Sequence, residues 1–194
     1  MKRVFIIHGW AGFPEECWFI WLKDELEKKG FKAFVPQMPN ADEPKIKEWV
    51  GFLKKIVKSP DKETYFVAHS IGSQAVIRYL ESLPTDVKIG GALLVGPWFS
   101  LIEETSYEDE LDKKTAKPWL ETPIDFEKVK KHTNNFSAIF SDNDQFVPLS
   151  DSKLFKKRLN AKIIILHNKK HMGADANLKK FPEALKKFLE LSKK

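Results

Sequence analysis

The stretch Tyr65-Phe66-Val67-Ala68-His69-Ser70-Ile71-Gly72 constrains this chain more than any other. A β-prone apolar run leads into a small-x-Ser-x-Gly pattern. Ala75, Val76, Tyr79, Leu80 and Leu83 then recur at helical spacing. Strand, tight turn and helix in that order lift a serine hydroxyl above a sheet. Strand and helix pass so close at such a turn that the residues two before and two after the serine must be small. Gly72 meets the second requirement, and Ala68 adds one methyl where glycine is usual at the first. The pattern is weak by itself; the strand before it and the helix after it give it weight.

The rest of the chain supplies a matching frame. Short apolar runs at 4–8, 32–35, 64–67, 91–95, 137–140 and 162–166 alternate with amphipathic helical patterns. Most lack polar alternation, as strands buried on both faces do. The reading is an α/β fold: about six mostly parallel strands with helices on both faces, in one domain over 1–194. Trp18, Trp21, Leu22 and Leu26 form a helical stripe that Gly30 closes. Asp42 is the expected cap of a helix carrying Ile46, Trp49, Val50, Leu53 and Val57. Asp125 caps a short helix, and the last one starts near Pro182 and buries Leu185, Phe188 and Leu189. The exception is 99–123, polar and weakly periodic. It reads as a long loop over the carboxyl ends of the strands, where a small lid or active-site loop would hang.

Composition narrows the function classes. A 42% hydrophobic content over 194 residues suits one well-buried core. No apolar run approaches the roughly 18–20 residues of a membrane span. The opening Met1-Lys2-Arg3-Val4-Phe5-Ile6-Ile7 is too short for a signal core and reads as a first strand. The one cysteine, Cys17, sits among apolar residues of a helical pattern and can form no internal disulfide. Both observations point to the cytoplasm. The net charge of +6 is carried by lysines interleaved with acids, as in Asp24/Lys28 and Glu25/Lys29 at i,i+4 spacing. That is a solvated helix face rather than a nucleic-acid surface.

A serine hydroxyl is a poor nucleophile until a base removes its proton, so Ser70 needs a histidine and a carboxylate that orients it. The acid belongs after the strand ending at Phe140, where Asp142 and Asp144 both qualify. Asp144 is preferred because Phe146-Val147-Pro148 can pin its loop. The base belongs beyond the last strand. His171, in a short polar loop, is preferred over His167, which sits almost on the strand. His69 is held by the turn and points elsewhere, His132 falls on a surface helix, and His8 reads as structural. Backbone N–H groups of Ile71 and of Trp10, in the glycine-flanked loop His8-Gly9-Trp10-Ala11-Gly12, would receive an oxyanion. Trp98, Phe99 and Trp119 follow strand ends and are candidate walls of an acyl pocket. The histidines lack metal-pair spacing, and there is no phosphate loop or dinucleotide fingerprint, so no metal or cofactor is implied.

With these residues located, the chain resembles the small serine hydrolases grouped with retinoblastoma-binding protein 9 and the bacterial YdeN-like proteins. The likeness runs through His8-Gly9, Trp18-Phe19-Ile20-Trp21-Leu22-Lys23, Met38-Pro39-Asn40, the Ser70 turn, Leu94-Val95, Asp144 with Phe146-Val147-Pro148, and His171. It implies a minimal α/β-hydrolase without a large cap and a triad of Ser70, Asp144 and His171. Asn168-Lys169-Lys170 departs from a more glycine-rich approach to the histidine, and Met172 stands where the family commonly has Phe. The expectation is a serine hydrolase, carboxylesterase-like, acting on a small-molecule acyl ester or amide. A catalytically silent protein-binding module is the rival. The Leu-x-Cys-x-Glu motif of retinoblastoma-protein binding is absent around Cys17.

Overall fold

The computed structural model describes residues 1–107 and 109–193. Six strands form one sheet: β1 (Arg3–Ile7), β2 (Lys32–Phe34), β3 (Thr64–His69), β4 (Gly91–Val95), β5 (Phe136–Ser141) and β6 (Lys162–Leu166). Their order is β2-β1-β3-β4-β5-β6, and every pairing is parallel. β3, β4 and β5 are buried throughout, which is why their sequences are largely apolar and lack polar alternation, whereas β6 forms a partly exposed edge.

Side chains alternate across this sheet and seed two cores. Phe5, Ile7, Phe66 and Ala68 pack beneath α2 (Ile46–Ile56), α3 (Ile71–Glu81) and α7 (Asp151–Leu159), with Trp49, Leu53, Ala75, Tyr79 and Phe155. Val4, Ile6, Tyr65 and Val67 pack on the other face beneath α1 (Phe19–Glu27) and α8 (Pro182–Leu191), with Trp18, Leu22, Leu26, Phe181 and Phe188. Successive strands lie on opposite sides of β1, so the chain reverses direction across the sheet between β1 and β3. In open α/β sheets, ligands bind at the carboxyl ends of the strands beside such a switch point.

Three details differ from the sequence reading. Lys45, not Asp42, occupies the N-cap of α2, and its side chain makes no cap bond. The carbonyl of Asp42 instead accepts the Trp10 indole N–H at 2.9 Å. The 99–123 segment is not a structureless loop but carries α4 (Glu103–Ser106) and α5 (Glu110–Glu121). Asp109 caps α5 by accepting the N–H groups of Leu111 and Asp112, and Ala116 and Trp119 form its buried face. Pro118 inside that helix is what masked it in the sequence. His132 follows α6 (Phe126–Lys130) but is fully buried, its Nδ1 2.8 Å from the Val87 carbonyl. Among the described residues no helix is long and apolar enough to cross a membrane.

Candidate active site

Ser70 stands between β3 and α3 with φ +53° and ψ −126°, in the left-handed region that non-glycine residues rarely adopt. Its N–H donates to Val95 O at 2.9 Å, tying the turn to the end of β4. Gly72 shows why the helix can leave the turn so steeply. A Cβ there would stand 2.5 Å from His8 O and 2.9 Å from Ile7 O, so α3 lies directly against the end of β1.

Asp144 and His171 meet at the neighbouring strand ends. His171 Nδ1 lies 2.7 Å from Asp144 Oδ2, and Asp144 Oδ1 accepts the N–H groups of Phe146 and Val147 at 2.9 and 3.0 Å. The acid side chain is only 3% exposed and the histidine side chain 11%. A carboxylate at Nδ1 holds the proton on that nitrogen and leaves Nε2 as the free base. Phe146 packs edge-on against the imidazole, 5.3 Å between centroids, so the apolar residues after Asp144 clamp its partner as well as its own loop.

The loop carrying His171 is bound from every side. Its N–H donates to Asp175 Oδ2 at 2.8 Å, its carbonyl lies 2.8 Å from His69 Nε2, and the Trp18 indole donates to Met172 O at 2.8 Å. Trp18 thus acquires a physical role: it links the start of α1 to the loop that carries His171. Asn168, Lys170 and Met172 take φ of +54°, +49° and +58°. The geometry is one that glycine adopts freely, and it accounts for the glycine-rich approach that this sequence lacks.

The other histidines are accounted for. His8 Nε2 accepts the Met38 N–H at 2.9 Å while Nδ1 faces Gly9 O at 2.8 Å, which fastens Met38-Pro39-Asn40 to the loop after β1. Burial lowers its pKa, so it is held neutral. His69 is pushed down to about 3, first by burial and then by the neighbouring His171. His167 pairs with Asp142 at 2.5 Å. Cys17 is buried, and desolvation pushes its thiol up to about 12, which removes it as a nucleophile.

The three pocket aromatics separate. Trp98 is 2% exposed, and its Nε1 donates to Ser70 Oγ at 3.3 Å. Phe99 instead stacks on Phe155 of α7 at 4.1 Å, with Phe126 at its edge. Trp119 is buried against Trp49, and its indole donates to Pro44 O at 2.8 Å. Trp119 is a core residue and Phe99 a partly buried one packed against the same core, each held by the helices beside it. Ile71 opens α3, so its N–H has no acceptor within the helix. Trp10 follows β1 in the loop beside it. Sequence reasoning missed His69, Asp175 and the indole of Trp98 as partners of the site. The signals were present: one flanks the serine, one follows His171 by four residues, and one lies three residues beyond β4, the strand beside β3.

YdeN of Bacillus subtilis is 29% identical over 181 residues, covering 93% of this chain and 91% of its own. The crystal structure of the ydeN product superimposes with a TM-score of 0.89 over the full length of both chains. The serine hydrolase RBBP9 of Rattus norvegicus is 24% identical over 84% of this chain and 78% of its own. Est1E of Butyrivibrio proteoclasticus, solved with ferulic acid, shares the fold at a TM-score of 0.71 and 17% identity, covering all of this chain and 90% of its own. The family model described as serine hydrolase matches residues 4–190, and the chain belongs to that family.

Proposed function

We propose that this protein is a carboxylesterase-like serine hydrolase that cleaves a small or medium acyl ester through Ser70, His171 and Asp144. His171 Nε2 takes the Ser70 hydroxyl proton as Oγ bonds to the carbonyl carbon, and the carbonyl π electrons move to oxygen. The N–H groups of Trp10 and Ile71 receive that oxyanion. Collapse expels the alcohol, protonated by His171, and leaves an acyl-serine. Water, deprotonated by the same imidazole, then releases the acid and restores Ser70. Asp144 holds the tautomer and stabilises the imidazolium. The segment 99–123 serves as a small lid. Its base is tied to the acid loop, since Ile102 N donates to Phe146 O at 2.9 Å and Ser106 Oγ to the same carbonyl.

The observation that carries this reading is the buried 2.7 Å Asp144–His171 pair at the strand ends that also present Ser70 on a left-handed turn. It is tested with p-nitrophenyl esters of graded acyl length and a fluorophosphonate probe. Turnover and labelling, both lost in Ser70→Ala, are expected, with the preferred acyl length giving the size of the pocket. A protein that neither turns over esters nor labels would overturn the reading in favour of a binding module.

A further inference from the structure

The segment Gly96-Pro97-Trp98, just beyond β4, touches both the proposed nucleophile and its base. Gly96 takes φ +54°, and a Cβ there would stand 3.1 Å from His171 Cε1. Two residues later the Trp98 indole reaches Ser70 Oγ at 3.3 Å. The Gly96 N–H donates to Ile139 O at 2.9 Å, and Ser70 N donates to Val95 O at 2.9 Å. The segment is therefore fixed to β5 on one side and to the serine turn on the other. An indole at 2% exposure must find an acceptor for its N–H, and among the described hydrogen bonds its acceptor is the serine oxygen.

We propose that Trp98 is a catalytic residue, an N–H donor to the nucleophilic oxygen itself; this rests on the assignment of Ser70 as nucleophile. An indole N–H only donates, so Oγ must accept it with a lone pair. That leaves the hydroxyl proton free to point at the base. As His171 Nε2 removes the proton and the Oγ–C bond forms, Oγ passes through a state richer in negative charge than the resting hydroxyl. A hydrogen bond to a charged acceptor is about twice as strong as one to a neutral acceptor. The 3.3 Å contact is long at rest and strengthens as charge develops, and only such differential stabilisation raises kcat. The same charge returns to Oγ when water has added to the acyl-enzyme and the resulting tetrahedral adduct expels serine, which recovers its proton from His171, so Trp98 assists both half-reactions. Its own N–H is never transferred: the serine proton goes to His171, and from there to the departing alcohol.

The role is separable from filling space. The second-order rate of fluorophosphonate labelling reports formation of the Ser70 Oγ–P bond with loss of fluoride, with no deacylation step. Trp98→Phe keeps an aromatic ring and deletes the N–H. It is expected to lower that rate, and kcat on a p-nitrophenyl ester, about tenfold, with KM little changed. Because a smaller ring leaves a gap, the second variant carries 3-benzothienylalanine at position 98, which keeps the indole shape with sulfur in place of N–H. It is expected to show the same tenfold loss at an unchanged melting temperature. Rates within twofold of the parent in the benzothienyl variant would overturn the proposal, and Trp98 would then be packing alone. Absence of labelling in the unmodified protein would overturn the Ser70 assignment and the Trp98 role together.

Discussion

His167 Nδ1 bonds Asp142 Oδ2 at 2.5 Å, while His171 Nδ1 bonds Asp144 Oδ2 at 2.7 Å, so the four candidate residues for acid and base sort into two pairs that do not cross. Their surroundings differ sharply. The His167 side chain is 82% exposed and that of His171 11%. Asp142 also accepts the Asn168 N–H at 3.0 Å, so its pair braces the loop that leads to His171. A buried pair holds one tautomer in one geometry, whereas an exposed one is open to exchange with water.

Asp144→Asn is therefore expected to lower kcat by about 10³–10⁴-fold, because the amide would favour the wrong imidazole tautomer. Asp142→Asn should stay within about threefold of the parent, since its pair with His167 lies at the surface, where water screens it. Ester turnover by the two purified variants decides. A reversed order would move the acid to Asp142.

Much of this arrangement was legible in the sequence. The strand–serine–helix pattern around Ser70 needs only local chemistry: period, small residues and a glycine. Order along the chain put Asp144 after β5 and His171 after β6, where the two side chains meet. What could not be read were contacts made by residues far apart in sequence. The Trp18 indole reaches Met172 across 154 positions and His69 reaches the His171 carbonyl across 102. The helix at 110–121 was hidden for another reason. Only one narrow face is buried, so its apolar period is faint, and Pro118 reads as a break. Phe99 and Trp119 show the same limit: a position after a strand end does not say which way a ring turns.

Gly72→Ala should cost about 3 kcal/mol, because the new methyl would meet two backbone carbonyls of β1 rather than a movable side chain. For a chain of this length that is a fall of about 6–12 °C in melting temperature. Gly30→Ala is the control. Nothing lies within 4 Å of a Cβ there, so only the cost of its φ of +84° remains, about 1 kcal/mol. Equal losses in thermal melts of the two variants would show that crowding at the turn is relieved by movement of α3.

Asp151 is 1% exposed and anchors the start of the 99–123 segment. Its Oδ2 accepts the N–H groups of Phe99 and Ser100 at 2.6 and 2.9 Å, and its Oδ1 accepts the Ser100 hydroxyl. Asp151→Asn removes the charge these donors converge on and is expected to destabilise the protein by about 2–3 kcal/mol. The loss should appear as a lower melting temperature together with faster proteolysis between α4 and α5. Unchanged cleavage there would mean that the segment is held by its own packing instead.

Acid sensitivity has an identifiable source in His69. Burial, then the nearby His171, lowers its pKa from 6.5 to about 3, and His8, lowered by burial, acts in the same sense. Between about pH 3 and 6.5 the unfolded chain binds a proton at His69 that the folded chain refuses. Stability therefore rises with pH across that window and is fully present above about 6.5. It is lost as pH falls, by up to about 1.4 kcal/mol per pH unit for one such group. That corresponds to about 3–5 °C in melting temperature per unit. His69→Gln, which cannot titrate but retains an N–H donor for the His171 carbonyl, should melt lower at pH 7. From pH 6 to 4 its melting temperature should fall less steeply than that of the parent. Parallel slopes would mean that His69 already accepts a proton in the folded state. Its Nδ1, without a hydrogen-bond partner among the described residues, lies in a ring centred 4.9 Å from that of His171 and would then place a positive charge beside it.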